Sequence, residues 1–366
     1  MIFEQDSFNQ LEGMYILNME DNNIMPSIED QIGSMLIIGF NGTDFNTSTG
    51  QGFLTKIENK HVGSVILFKY NIKSSDQLKE LTQTIHDANP ACTIYIDQEG
   101  GKVQRLRFNE YPSAAYIAKN YTVEEAEEIY SDLAAELKEF GVDANFGPLV
   151  DLNNIKAPCQ VIGGLDRSYS EDPDIVVDYA SAFIEAHHKN SILTCIKHFP
   201  GHGYAQGDTH HGLVDVTETY NEIELLPFYK LIDQNKVDMI MTAHILNKNF
   251  DPNYPATLSK ITLDKLLRNN GYDGVIVSDD LLMSALSENY EFEDLVIQSI
   301  NAGCDMLIIS NNAEACKHLP DYEPDNNIAI KIIDIVKKAI EKQVITEEQI
   351  NNSYRRIVEL KSKFKL

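Results

Sequence analysis

Residues 195–211 read CIKHFPGHGYAQGDTHH and gather four of the ten histidines, a lysine, an aspartate and glycines at 201, 203 and 207 behind a short apolar run. Packing alone does not call for that mixture. Apolar residues leading into Lys197 and His198, then a glycine-rich loop carrying Asp208 and His210, describe a strand that delivers polar groups to a pocket. Imidazole, ammonium and carboxylate groups so placed can move protons or hold polar oxygens. His198, His202, His210 and His211 can also be read as metal ligands, but a His-x-His pair at a first strand and a His-x-x-Glu-His helix are both missing. The glycines imitate a nucleotide loop, yet Asp208, Thr209 and His210 stand where that loop should open a helix.

Three other segments carry chemistry. IDQEGGKVQR (96–105) is either a strand and glycine turn bearing Asp97 and Arg105, or a tight turn with surface charges. In GGLDRSYSEDP (163–173) Ser170 is a candidate helix cap and Pro173 suits a first helical turn. Capping leaves Arg167 without a task, and its five fixed donors suit carbonyl and hydroxyl oxygens. In GYDGVIVSDD (271–280) a buried strand ends in two acids, which is costly unless one is used or paired. Strand alternation puts Asp279 on the face of Val277 and Asp280 on the opposite face with Ser278. Which face looks inward is open at this level.

The elements that must position these groups recur regularly. Short apolar runs at 34–40, 63–68, 93–97, 144–152, 192–198, 238–245, 274–279 and 305–310 predict eight strands, with helical periodicity between most of them. TVEEAEEIYSDLAAELKEF opens with a capping box of Thr122 and Glu125. In DIVVDYASAFIEAHHK the residues Ile175, Tyr179, Phe183 and Ile184 can share one face. Continuous rather than alternating apolar strands are covered on both sides, and most of these runs end in a reactive group: Asp97, Asp151, Lys197 with His198, His244 and Asp279. That pattern predicts an α/β fold, a single (β/α)8 barrel whose site lies at the C-terminal rim, with a doubly wound sheet as the alternative. Residues 1–30 read as an N-terminal extension, 31–366 as the catalytic domain, and 326–366 as closing helices, the last opened by Thr346 and Gln349.

Composition narrows the partners. Thirty basic against 56 acidic side chains give a formal charge of −26, which argues against nucleic acid and anionic membranes. Five cysteines without CxxC spacing, an acidic N-terminus and no run of 18 apolar residues predict a cytoplasmic protein with reduced thiols.

The segment from Lys197 to His210 resembles the motif of family 3 glycoside hydrolases, in their β-N-acetylglucosaminidase branch: Lys-His-(Phe/Ile)-Pro-Gly-x-Gly, four residues, then Asp-(Ser/Thr)-His. NFGPLVDL, MTAHI and PATLS agree in order, while Val214 replaces a usual proline and the LLRNN helix looks one residue short. The resemblance implies a retaining exo-β-N-acetylglucosaminidase that acts on a small glycan, a cell-wall muropeptide, without metal or cofactor. It implies Asp279 as nucleophile, His210 as acid and base, and Asp208 as the group orienting that imidazole. Asp97, Arg105, Arg167, Lys197 and His198 are implied sugar-binding residues, with Asp280 as a supporting neighbour. A phosphorylase of the same branch and a metal-dependent barrel hydrolase are the alternatives.

Overall fold

Eight aliphatic runs become eight parallel strands because each is apolar on both faces and is buried along its length. They are β1 Leu36–Ile38, β2 Ser64–Leu67, β3 Thr93–Ile96, β4 Ala144–Asn145, β5 Leu193–Phe199, β6 Met239–Thr242, β7 Val275–Val277 and β8 Leu307–Ile309. The computed structural model describes residues 25–207, 212–313, 316, 318–319 and 322–366. Sheet order is β7-β6-β5-β4-β3-β2-β1-β8, so the first strand pairs with the last, Leu36 opposite Leu307. The remaining seam, between β7 and β8, is closed by a bridge, Val277 opposite Met306, and by backbone bonds that include Ser278 N–H to the Met306 carbonyl at 2.9 Å and Met306 N–H to the Ile276 carbonyl at 3.1 Å. The sheet thus curls into the expected barrel rather than an open, doubly wound sheet.

The barrel interior is filled by side chains. Tyr95 of β3 is fully buried, stacks on Phe146 at 4.9 Å between ring centroids, and turns its hydroxyl toward the sulfurs of Met239 and Met306. One aromatic residue therefore touches groups on three other sides of the barrel, as a packed core requires.

Helices surround the strands. Val123–Glu139 starts at the expected capping box, Thr122 with Glu125, and Glu347–Phe364 at Thr346 with Gln349. The helix Pro173–Lys189 has Pro173 in its first turn and buries Tyr179, Phe183 and Ile184 as expected, but differs in its cap and at Ile175. Its cap is Asp172, whose side chain accepts from Asp174 N–H, while Ser170 instead receives the Asp172 N–H one step earlier. Ile175 points to solvent, and the buried stripe runs through Val176, Ala180, Phe183 and Ile184. Ile175 lies in the first turn, whereas Phe183 meets Tyr130 of the preceding helix edge-on. Among the described residues no helix is long and apolar enough to cross a membrane.

The end of the barrel opposite the reactive groups is tied by Asp305, just before β8. Its carboxylate is 1% exposed, pairs with Arg268 at 2.8 Å and Arg356 at 3.1 Å, and accepts from Ser353 Oγ and Ile276 N–H, both at 2.9 Å. Removing one partner of such a cluster leaves the others buried and unpaired. Asp305→Ala is expected to lower the unfolding free energy by about 3 kcal/mol, read as a shifted urea midpoint, with KM unchanged. An unchanged midpoint would show that the two arginines find water instead.

Candidate active site

The C-terminal ends of β3, β4 and β7 face one cavity of ≈ 590 Å³, within the size range of small-molecule sites. Its floor is apolar, with Ile66, Phe146, Met241 and Ile308, and its polar lining includes Asp97, Arg105, Asp279 and Asp280.

Asp97 follows β3 directly, and the chain then doubles back through a hairpin, Gln98–Gly100 against Val103–Gln104. The turn needs glycine: Gly100 and Gly101 have φ of 97° and 57°, and a Cβ on Gly100 would lie 2.2 Å from the Pro112 carbonyl oxygen. The Gln98 side chain accepts from the N–H groups of Arg105 and Leu106 at 2.8 and 3.0 Å. Those bonds fix the returning strand so that the Arg105 guanidinium donates to Asp97 Oδ2 at 3.1 Å.

Behind Asp97 lies a charge cluster. Lys197 of β5 is 2% exposed, and its Nζ meets Asp97 Oδ1 at 2.8 Å and Glu99 Oε1 at 2.6 Å. Arg167 grips Glu99 with two parallel bonds of 2.9 and 2.8 Å and donates a third to the Val161 carbonyl at 2.9 Å. Burial opposes charge on both carboxylates, yet Lys197 and Arg105 hold Asp97 below its usual range, and Arg167 and Lys197 hold Glu99 far below it. The same exchange raises Lys197: burial acts against its charge, and Asp97 with Glu99 overcomes it. Glu99 was not singled out from sequence. The available signal was its spacing, two residues beyond Asp97 and so on the same side of an extended chain.

The Lys197–His198 peptide is cis, as is Phe199–Pro200. His198 Nδ1 pairs with Asp151 Oδ2 at 2.7 Å, while Asp151 Oδ1 accepts the N–H groups of His198 and His202 at 3.0 and 2.8 Å. Asp151 is fully buried, so one carboxylate sets the tautomer of His198 and anchors the start of the glycine loop. Glu224, also fully buried and unforeseen, accepts from Gly203 and Tyr204 N–H at 2.8 and 2.9 Å. Burial first, then the Asp151 charge, pushes its carboxyl well above the usual range. Gly203 is required there, since a Cβ would come within 1.7 Å of the Leu152 carbonyl. Burial also pushes His202 down to about 4, so it is neutral at physiological pH. Asp208 and His210, with His211, lie outside the described residues.

The two acids after β7 differ from expectation. Regular strand ends at Val277, so the alternation that would separate them does not extend to 279 and 280, and both line the cavity. Their surroundings differ instead. Asp279 Oδ1 accepts the Asp280 N–H at 2.8 Å. Asp280 Oδ1 accepts from Leu282 and Ser310 N–H at 3.2 and 2.9 Å, while its carbonyl receives a bond from His244 Nε2 at 2.9 Å. His244 Nδ1 in turn meets Thr257 Oγ1 at 2.8 Å. Asp280 and His244 thereby fix the backbone that carries Asp279. Of the sequence-named residues, Asp97, Arg105 and Asp279 line the cavity, while Lys197 and Arg167 brace Asp97 through the cluster behind it.

Burial pushes the Asp280 carboxyl up to about 6 from an ordinary 3.8, Ser310 and Leu282 opposing and the Asp279 charge adding to the shift. The folded chain therefore binds the extra proton more tightly than the unfolded one. This contribution is fully present below about pH 4 and is lost as pH rises through about 6. Measured by urea unfolding between pH 4 and 7, wild type should lose about 3 kcal/mol relative to Asp280→Asn. A gap independent of pH would refute the assignment.

Comparison with known proteins agrees with this arrangement. Residues 27–360 match the family model described as "Glycosyl hydrolase family 3 N terminal domain". A β-hexosaminidase from Tolumonas auensis is 39% identical over 260 residues, covering 69% of this chain and 76% of that protein. One from Hydrogenovibrio crunogenus is 34% identical over 302 residues, covering 79% and 83%. Among solved structures, a family 3 β-N-acetylglucosaminidase from Paenibacillus sp. superposes with TM-score 0.82 at 30% identity, over 93% of this chain; this chain spans 63% of that one. A β-N-acetylhexosaminidase from Beutenbergia cavernae, with TM-score 0.80 at 24% identity over 92% of this chain and 99% of that one, bears on the fold alone. With a rim of paired acids and bases on an eight-stranded barrel, and a match spanning nearly all of the described chain, this protein belongs to glycosyl hydrolase family 3.

Proposed function

We propose that this chain, a β-N-acetylhexosaminidase of family 3, releases terminal β-linked N-acetylglucosamine with retention of configuration through a covalent glycosyl-enzyme. The observation that carries the reading is Asp279, an acid lining the same cavity as the Asp97–Arg105 pair and held from behind by its own neighbour's N–H. Asp279 attacks the anomeric carbon as the bond to the leaving oxygen breaks, and His210 gives that oxygen its proton. His210 then takes a proton from water, whose oxygen displaces Asp279 from the anomeric carbon. Asp208 holds the other nitrogen of that imidazole.

Sugar recognition falls to the neighbouring polar groups. Asp97 accepts from sugar hydroxyls. Arg105 Nε is a buried donor with no acceptor among the described residues, suited to a hydroxyl oxygen. His198, with Nδ1 committed to Asp151, keeps Nε2 for the ligand. Lys197 and Arg167 act mainly by holding Asp97 and Glu99 in place. A muropeptide carrying N-acetylglucosamine on anhydro-N-acetylmuramic acid, met in the cytoplasm, is the substrate we infer; the motif from Lys197 to His210 supports it.

Product analysis with a chromogenic β-N-acetylglucosaminide tests the reaction: β-configured N-acetylglucosamine should appear first, and in equal yield with and without phosphate. Inversion, or sugar phosphate as the product, would refute simple retaining hydrolysis. Asp279→Ala should lower kcat on the order of 10⁴-fold or more while the protein stays folded. A mechanism-based fluorosugar should label Asp279 in the wild type; labelling of Asp280 would move the nucleophile by one residue. His210→Ala should slow substrates with poor leaving groups by about 10²–10⁴-fold and activated aryl glycosides far less. Equal losses on both would mean that the general acid lies elsewhere.

A further inference from the structure

The NFGPLVDL segment, whose Asn145 ends β4, takes no part in the reaction as described. Regular pairing of β3 with β4 stops at Ile96 opposite Asn145, one residue before Asp97. Beyond that point a side chain replaces the ladder. Asn145 Oδ1 accepts the Gln98 N–H at 2.9 Å, and Asn145 Nδ2 donates to the Gln98 carbonyl at 2.9 Å. Both residues are fully buried. The first of these bonds holds the peptide that joins Asp97 to Gln98, and so fixes the backbone from which the Asp97 carboxylate projects.

The Asn145 amide is held in turn from the helix Pro173–Lys189. Its nitrogen also lies 3.0 Å from His187 Nε2, and His187 Nδ1 lies 2.8 Å from the Phe183 carbonyl. A carbonyl only accepts, so Nδ1 carries the proton and Nε2 is the acceptor. That assignment needs a neutral imidazole, which burial supplies by pushing His187 down to about 3. His187 is fully buried and stacks on Phe183, with ring centroids 3.9 Å apart. On the other side the Gln98 side chain extends the run. Its Oε1 takes the N–H groups of Arg105 and Leu106, and its Nε2 donates to the Leu106 carbonyl at 3.1 Å. Each amide uses both its oxygen and its nitrogen, and one orientation alone satisfies these partners. Hydrogen bonds therefore lead from His187 through Asn145 and Gln98 to Arg105 and Asp97, the pair that lines the cavity.

We propose that Asn145 is a positioning residue for sugar binding, acting through Gln98 on Asp97 and Arg105, with His187 holding its amide from behind. The inference rests on the glycosidase reading above, in which that pair receives the sugar.

The test measures KM and kcat of the full chain on an aryl β-N-acetylglucosaminide, with active sites counted by the mechanism-based fluorosugar. Gln98→Met keeps the backbone bonds to Asn145 and removes the link to Arg105, whereas Asn145→Ala removes the bonds to Gln98. Each should raise KM about tenfold, the loss expected from one weakened hydrogen bond to the sugar, and leave kcat per labelled site within about threefold. Because both act through Gln98, the double variant should be no worse than the more affected single one. If Asn145→Ala does not fold, His187→Phe, which keeps a ring on Phe183 and removes the acceptor, takes its place in the pair and should likewise raise KM without adding to Gln98→Met. A loss of labelled sites with KM and kcat per site unchanged would make Asn145 purely structural, and KM effects that multiply would show that the two residues act separately. Either result overturns the proposal and leaves the glycosidase reading standing. A wild type that does not cleave the aryl glycoside overturns both.

Discussion

The buried charge cluster between β3 and β5 constrains everything around it. Asp97 and Glu99 are surrounded by Lys197, Arg167 and Arg105, in bonds of 2.6–3.1 Å. Each of these charges would cost several kcal/mol if buried alone. None can therefore move without stranding another. Lys197 comes from one strand, Asp97 from the end of another, Glu99 from the hairpin after it, and Arg167 from a loop after β4. The cluster exists only when the barrel has brought all four together. What it offers the cavity is an Asp97 held ionised and fixed in two directions, by Lys197 on one oxygen and Arg105 on the other.

The same device recurs in weaker form around the rest of the rim. Asp151 and Glu224 use carboxylate oxygens to collect backbone N–H groups from the Gly201–Tyr204 segment. Asp280 does so for Leu282 and Ser310, and His244 secures the Asp280 carbonyl. Irregular backbone at a strand end has no ladder partner, so side chains must satisfy it. Asp151 holds the backbone of His198, and Asp280 with His244 holds the backbone beside Asp279, so these groups are fixed through their backbone.

The barrel was legible because its strands are covered on both faces and read as continuous apolar runs, punctuated by a polar residue at each rim. Asp97, Arg105 and Asp279 were legible because their neighbours form dense, spaced patterns of glycine and charge. Glu99, Glu224 and the anchoring role of Asp151 were not, since a buried carboxylate is explained only by partners far away in sequence, such as Arg167 for Glu99. Alternation misled at 279–280 for a local reason: it holds only while the chain remains a strand, and β7 ends at Val277. Ile175 misled similarly, because periodicity gives a stripe but the neighbouring helix decides where the stripe is covered.

That two adjacent acids end β7 follows from the same rules. Side by side in one cavity, both ionised, they would repel. The fold separates their burdens instead of their directions. Asp280 is buried, receives two backbone N–H groups, and has its carboxyl pushed up to about 6, so near neutral pH it can share its proton with the pair's surroundings and relieve the repulsion. Asp279 faces the cavity and accepts the N–H of Asp280. The Oδ1 of Asp280, with two backbone N–H donors, is suited to holding a turn. The environment, more than the order of residues in the chain, therefore makes Asp279 the nucleophile in this reading.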